Sequence, residues 1–285
     1  MKKNIKNLKG GMRQTKGKRA VLLAVLLSAA LSLAVLPACV KDNGQANVTP
    51  PQTDVEENET NATLPPQPMP EPENKSAEYV KINADNLTIR SGAGTQYAAV
   101  GTAEKGTLYA VYGRSGSWIK TYYKNKPVYV SAGYCSVVHM DESANAQVEK
   151  VIEEGTKCLG VTYVYGAVRY HDGTGRKLSG FTKTAFDCSS LMQYMFKLGA
   201  DVNLQVNTRT QVYQGQTVKK SALKRGDLMF FTNASRKNNT GVERIGHVAI
   251  YLGDNYILHT ASDYAKIEQI SSTRWSYYIQ TQRMI

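Results

Sequence analysis

The apolar positions change period along the chain, and that change divides it. Over residues 145–158, Val148, Val151 and Ile152 recur at helical spacing. Residues 189–198 form a second helical pattern with a wide apolar face (Leu191, Met192, Met195, Phe196, Leu198), and Gly199 reads as its C-terminal stop. Strand-like stretches follow at 227–231, 247–252 and 256–260, with another near the end. In 247–252, Val248, Ile250 and Leu252 alternate and share the core face, so His247 and Ala249 share the other. Gly253-Asp254-Asn255 is a turn signal. A three-residue loop pairs Leu252 with Tyr256 and Ala249 with His259, which sets His259 diagonally beside His247 on one face. A two-residue loop sends the two rings to opposite faces. Residues 141–285 are therefore expected to be an α+β domain, a helix packed on an antiparallel sheet. Upstream, residues 78–138 alternate short apolar and aromatic runs (YVKI, LTIR, TLYAVY, WIKTYY, VYVS) with Gly, Ser and Asn turns, the rhythm of a small β-barrel.

Charge sharpens the division. The net +12 is uneven: residues 1–19 hold eight Lys/Arg and no acid, while residues 41–78 hold eight Asp/Glu and two Lys. The basic start precedes an apolar run at 20–35, the order of an export signal, with an uncleaved anchor helix as the rival reading. Leu36-Pro37-Ala38-Cys39 resembles the bacterial lipobox, which implies lipidation of Cys39, although Pro37 is unusual there. Residues 40–77 carry seven of the nine prolines and read as a disordered tether reaching roughly 100 Å when extended. The remainder is basic and suits an anionic cell wall or membrane surface. No basic helix with interleaved aromatics occurs, so nucleic acid is not expected as a partner. No Cys-x-x-Cys spacing suggests zinc. A Cys135–Cys158 pairing stays open beside the plainer reading of two small buried side chains.

Phe186-Asp187-Cys188-Ser189 carries the candidate chemistry. Asp187 is a good N-cap, which puts Cys188 in the first helical turn, where the dipole and free N–H groups favour a thiolate and can hold an oxyanion. Alone, this cysteine reads equally well as an ordinary buried residue. His247 and His259 on one sheet face change the balance: a base for the thiol and a second ring to orient it make a Cys-His-His set.

These motifs resemble the NlpC-type cysteine peptidases of bacterial cell walls, whose fold is papain-like. Gly160-Val161-Thr162-Tyr163-Val164-Tyr165-Gly166 is similar to the family's aromatic-glycine loop, Asp187-Cys188-Ser189 to its nucleophile motif, Gly226-Asp227-Leu228-Met229-Phe230-Phe231 to its strand entry, and Gly246-His247-Val248 with His259 to its base and orienting residue. Likewise Leu87-Thr88-Ile89-Arg90-Ser91-Gly92-Ala93-Gly94-Thr95, followed by Trp118-Ile119-Lys120 and Val128-Tyr129-Val130, resembles bacterial SH3 domains, which bind wall peptides or help shape the neighbouring cleft. The resemblance implies hydrolysis of the γ-D-glutamyl–diamino acid bond of peptidoglycan stem peptides, without metal or cofactor. It implies that Tyr163 lines the site and that Asp187 and Ser189 contact the substrate's free amino end. Ala167 and Ser190 depart from the family's glycines and are expected to narrow the approach. Two long polar loops, 168–185 and 232–244, are expected to tune specificity. An amidase or acyltransferase on another wall bond, and a wall-binding protein with a decayed site, are the rival functions.

Overall fold

The computed structural model describes residues 75–261 and 263–285. The expected signal, Cys39 and nearly all of the acidic tether lie outside the described residues. The first domain is built from β1 (Ser76–Ile82), β2 (Leu87–Arg90), β3 (Ala99–Ala103), β4 (Leu108–Ala110), β5 (Gly113–Ser115), β6 (Trp118–Tyr123), β7 (Lys126–Ser131) and β8 (Cys135–Asp141). Alternation drives it: Leu87 and Ile89 of β2 and Val128 and Val130 of β7 are buried, while their neighbours are not. The strands form two sheets, β3-β2-β7-β6-β5 and β4-β1-β8.

The second domain follows with α1 (Ala146–Lys157), β9 (Thr162–Tyr163), β10 (Ala185–Phe186), α2 (Cys188–Ala200), α3 (Thr208–Gln211), β11 (Gln216–Val218), β12 (Leu228–Phe231), β13 (His247–Gly253), β14 (Tyr256–Thr260), β15 (Ala265–Gln269), α4 (Ser272–Ser276) and β16 (Tyr278–Arg283). Its sheet does not stop at the domain boundary. Ile267 of β15 pairs with Leu108 of β4, giving one run of strands β11-β16-β12-β13-β14-β15-β4-β1-β8. Arg225 ties the same seam. Its guanidinium donates to Tyr79 Oη at 2.9 Å, to Glu149 at 2.8 Å and to the Leu252 carbonyl at 2.7 Å. The two domains thus share one sheet and one continuous apolar core.

Two local readings are corrected. Gly199 is not a stop: α2 runs through it and ends at Asp201, which takes the left-handed conformation at φ 55°. Gly199 instead marks the crossing with α1, where a Cβ would collide with the backbone of Val151. The β13–β14 turn has two residues, not three: Asp254 and Asn255 both have positive φ, as a type I′ turn requires, and Gly253 pairs with Tyr256. Leu252 is then bulged out of the ladder, and pairing resumes with Tyr251 opposite Ile257 and Ile250 opposite Leu258. The extra residue in the bulge restores the parity that a two-residue turn removes. Cys135 and Cys158 are both free: Cys158 Sγ meets Asn125 Oδ1 at 3.4 Å, and Cys135 Sγ meets the Ser131 carbonyl. Among the described residues no helix is long and apolar enough to cross a membrane.

The helix crossing is testable. Gly199→Ala gains about 1 kcal/mol of helix propensity. It also forces a methyl into the α1 backbone, and backbone cannot escape by changing rotamer, so overpacking dominates. The expected outcome is a net loss of about 1–2 kcal/mol in urea unfolding, with a lower midpoint at unchanged slope.

Candidate active site

Asp187 starts α2 with a full capping box. Its Oδ1 accepts the Ser190 N–H at 2.8 Å, and Ser190 Oγ accepts the Asp187 N–H at 2.9 Å. Ser190, expected to crowd the cleft, is instead turned into this cap and wholly buried. Capping places Cys188 as the first residue of α2. Val248, Ile250 and Leu252 of β13 pack into the α2 core, as their alternation predicts, whereas Ala249 joins Met229, Phe231, Ile257 and Ile270 in a smaller cluster on the other face. The histidines belong to that other face, so the body of α2 does not cover them. Cys188 opens α2 and His247 opens β13, next to Val248. The N–H groups of Val248 and Ser189 point at the sulfur.

His247 Nε2 lies 2.9 Å from His259 Nδ1, and the rings meet edge to face with centroids 5.0 Å apart. On the far side, His259 Nε2 is 3.1 Å from Glu268 Oε1, an approach too bent for a well-formed hydrogen bond but close enough for a strong electrostatic contact. Glu268 also receives Arg274 Nη2 at 3.1 Å. These contacts fix the protons. With Glu268 as a permanent acceptor, His259 carries its proton on Nε2 and accepts at Nδ1. His247 must then donate from Nε2, which leaves the lone pair on Nδ1, the one nitrogen free to act as base.

Glu268 is the site residue that sequence reading missed. The register pairs His259 with Lys266 and Ile257 with Glu268, which puts Glu268 diagonally beside His259 on one face. The alternation Ala265-Lys266-Ile267-Glu268 was the available signal for strand β15.

The resting charge state differs from the expectation of a preformed thiolate. Burial pushes the Cys188 thiol up to about 12, with the Asp187 carboxylate adding to the effect and the Val248 and Ser189 N–H groups only partly opposing it. Burial also drives His247 well below the ordinary imidazole value, helped by His259 and Arg274. His259 is lowered by burial as well, against the pull of Glu268. Burial would raise Glu268, but His259, Arg274 and Lys266 outweigh it and hold the carboxyl at about 2. These shifts favour a neutral thiol and a neutral imidazole above an ionised glutamate. Burial, with Cys188 and Asp187 behind it, lifts Tyr163 to about 12, so its hydroxyl stays a donor.

Two open lobes meet at this centre, sharing Tyr163, Asn233 and Gly246. One, about 400 Å³, contains Cys188, Asp187, Ser189, Arg169, Arg209 and Arg236. The other, about 390 Å³, contains His247, Thr232, Ser271, Arg274 and Tyr277. Every lining residue of both lobes lies in the second domain, so among the described residues the SH3-like module contributes no wall. The 232–244 loop does supply one. The 168–185 loop supplies another through Arg169, while its Tyr170 and Phe181 pack inward against Phe186 and Tyr194. Asp187 and Ser189 reach the cleft wall but are 4% and 3% exposed, and their polar atoms are engaged within the protein. This arrangement does not suit the expected contact with a free amino end. Among the described residues no cluster of three His, Cys, Asp or Glu side chains offers a metal site.

Comparison with known proteins agrees with the motifs. The NlpC/P60 family model matches residues 160–284, and the bacterial SH3 domain model matches residues 85–136. A probable endopeptidase of Haemophilus influenzae, an NlpC homologue, is 34% identical over 40% of this chain and 57% of its own. The gamma-DL-glutamyl hydrolase of Bacillus subtilis is 28% identical over 61% of this chain and 35% of its own. The peptidoglycan DL-endopeptidase CwlO of Bacillus licheniformis is 31% identical over 51% and 29%. The chain thus spans between 29% and 57% of these relatives' lengths.

Two measurements test the charge state and the role of Glu268. Alkylation of Cys188 by iodoacetamide, followed by peptide mapping, should accelerate steadily from about pH 6 to 9, because the thiol must ionise from a raised value. A rate already level across that range would mean a preformed ion pair. Glu268→Gln should lower kcat about tenfold at unchanged KM, since it acts on the tautomer of the base and not on substrate binding. An unchanged kcat would remove Glu268 from the relay.

Proposed function

With an NlpC/P60 domain at residues 160–284 joined to a bacterial SH3 domain, we propose that this protein is a peptidoglycan endopeptidase that cuts stem peptides at the γ-D-glutamyl–diamino acid bond, with Cys188 as nucleophile. The observation that carries the reading is the buried relay from His247 to His259 to Glu268, which opens beside Cys188 onto a cleft. The bond assignment is supported by the likeness to a gamma-DL-glutamyl hydrolase and a peptidoglycan DL-endopeptidase.

Substrate binding expels water from the cleft and brings the scissile carbonyl over the sulfur. The thiol proton passes to His247 Nδ1 as sulfur bonds to the carbonyl carbon, so thiolate and imidazolium never have to exist apart in the buried site. Negative charge moves to the carbonyl oxygen, where N–H groups at the start of α2 and the Tyr163 hydroxyl can receive it. His247 then gives its proton to the departing amine of the diamino acid, and the C–N bond breaks. The γ-glutamyl thioester remains on Cys188. Water attacks it, losing a proton to His247, and the proton returns to sulfur as the free carboxylate leaves. His259 and Glu268 stabilise the transient imidazolium and hold the ring in place.

Export places this activity in the cell envelope, and Cys39 is the proposed lipid attachment point. The SH3 module, outside both lobes of the cleft, is free to hold wall material while its neighbour cuts.

Purified wall sacculi incubated with the protein and analysed by mass should release peptides beginning with the diamino acid and leave L-Ala-γ-D-Glu on the glycan. Release of intact stems would identify an amidase instead. Cys188→Ala should abolish release, and Cys135→Ala and Cys158→Ala should retain it. His247→Ala should cost the most among the histidine variants. His259→Asn and His259→Gln should exceed His259→Ala, because an amide can accept from His247 and donate toward Glu268. Equal loss in all three would show that hydrogen bonding at position 259 does not matter. For the anchor, Cys39→Ser should move the protein from the membrane fraction to the soluble fraction; unchanged partitioning would refute lipidation.

A further inference from the structure

Arg169 stands in the wall of the Cys188 lobe in a position that changes what the wall can bind. Its guanidinium is fixed on four sides. Nε donates to the Val206 carbonyl at 2.8 Å, Nη1 to the Ala167 carbonyl at 2.6 Å, and Nη2 lies 3.2 Å from Ser189 Oγ and 2.8 Å from Asp187 Oδ2. The side chain is only 18% exposed, so the pair with Asp187 is largely desolvated. Asp187 is already engaged. Its two oxygens accept from Ser189 Oγ, Ser190 N–H and Gly166 N–H, and the Arg169 guanidinium forms an ion pair with Oδ2 at 2.8 Å, so its charge is already matched.

The rest of the lobe reinforces the charge. Arg209 and Arg236 line it too, and both lean on a single carboxylate, Glu243, at 3.3 and 3.2 Å. Three guanidiniums face two carboxylates, so the lobe carries one excess positive charge. Arg209 approaches Glu243 through Nε at 3.3 Å and lines the lobe with its guanidinium. An ammonium brought here would meet net positive charge and an Asp187 already paired with Arg169. A neutral acylated nitrogen would meet neither penalty, and a carboxylate would be attracted.

We propose that Arg169 makes this cleft select anionic stem peptides whose amino end is acylated, as in stems still attached to glycan, over peptides with a free amino end. The proposal rests on the hydrolase reading above and names its substrate class. Arg169 acts as a specificity residue by occupying the carboxylate that would otherwise receive an ammonium.

The test uses one synthetic peptide, L-Ala-γ-D-Glu-L-Lys-D-Ala, with its amino end free or acetylated. Binding to full-length Cys188→Ala protein is measured by calorimetry, and kcat/KM is measured with the active protein. The acetylated form should bind more tightly and be cut with about tenfold higher kcat/KM. Arg169→Gln frees Asp187 while retaining a polar side chain, and it should reverse the ratio toward the free amine by about tenfold or more. Arg169→Lys, which keeps the positive charge, should keep the original preference and serves as a check that loss of folding does not produce the reversal. Tighter binding or faster cutting of the free-amine peptide by the unaltered site would overturn the proposal, as would an unchanged ratio in a folded Arg169→Gln protein. Binding preference without any cleavage of either peptide would count against the hydrolase reading while supporting the selection by Arg169.

Discussion

A single proton shared between the half-buried His247 and the buried His259 orders the candidate site. Only one hydrogen can lie between His247 Nε2 and His259 Nδ1 at 2.9 Å. Which ring owns it decides whether Cys188 faces a lone pair or a second N–H. The ionised Glu268 beyond His259 settles the matter, because a carboxylate at 3.1 Å from Nε2 demands a donor there. The preference passes through both rings. Burial of the rings makes the arrangement strict, since a misplaced proton would leave a buried acceptor facing a buried acceptor.

The same burial explains why the site rests uncharged. A thiolate and an imidazolium each lose hydration in this position, so neither forms until a substrate supplies charge to stabilise. The helix start does less than its dipole alone suggests. Its Ser189 N–H does reach the sulfur, but Asp187, the residue that caps the helix, brings a negative charge beside the thiol. The cap that positions the nucleophile also holds back its ionisation. Arg169 moderates that conflict by pairing with Asp187, and in doing so it gives the cleft its positive character.

Rigidity around the relay comes from the shared sheet. Strand β15, which carries Glu268, is the strand through which the catalytic sheet joins the SH3 module, by the Ile267–Leu108 pairing. The last member of the relay is therefore held by the domain junction, although the junction contributes nothing to the cleft wall. Arg225, bonded to both domains and largely buried, fixes the same seam from its other side. The SH3 module thus has a structural connection to the chemistry besides any wall contact of its own.

The sequence by itself determined the local features: the capped helix that begins at Cys188 and the alternation that buries Val248, Ile250 and Leu252. These depend on residue type and short-range period, which a chain states directly. The shared face of the histidines was not legible: it was expected from a three-residue turn, whereas a bulge at Leu252 compensates for a two-residue loop, and bulges depend on how twisted strands settle against their neighbours. Gly199 looked like a helix end because a glycine's need for space is invisible until another helix crosses it. Tertiary structure alone decided the contacts that set function. Glu268 enters the relay through pairing with a strand that follows His259, and Arg169 reaches Asp187 across a folded loop. It also decided the resting charges of Cys188 and His247, since burial is a property of the assembled molecule and no single segment carries it.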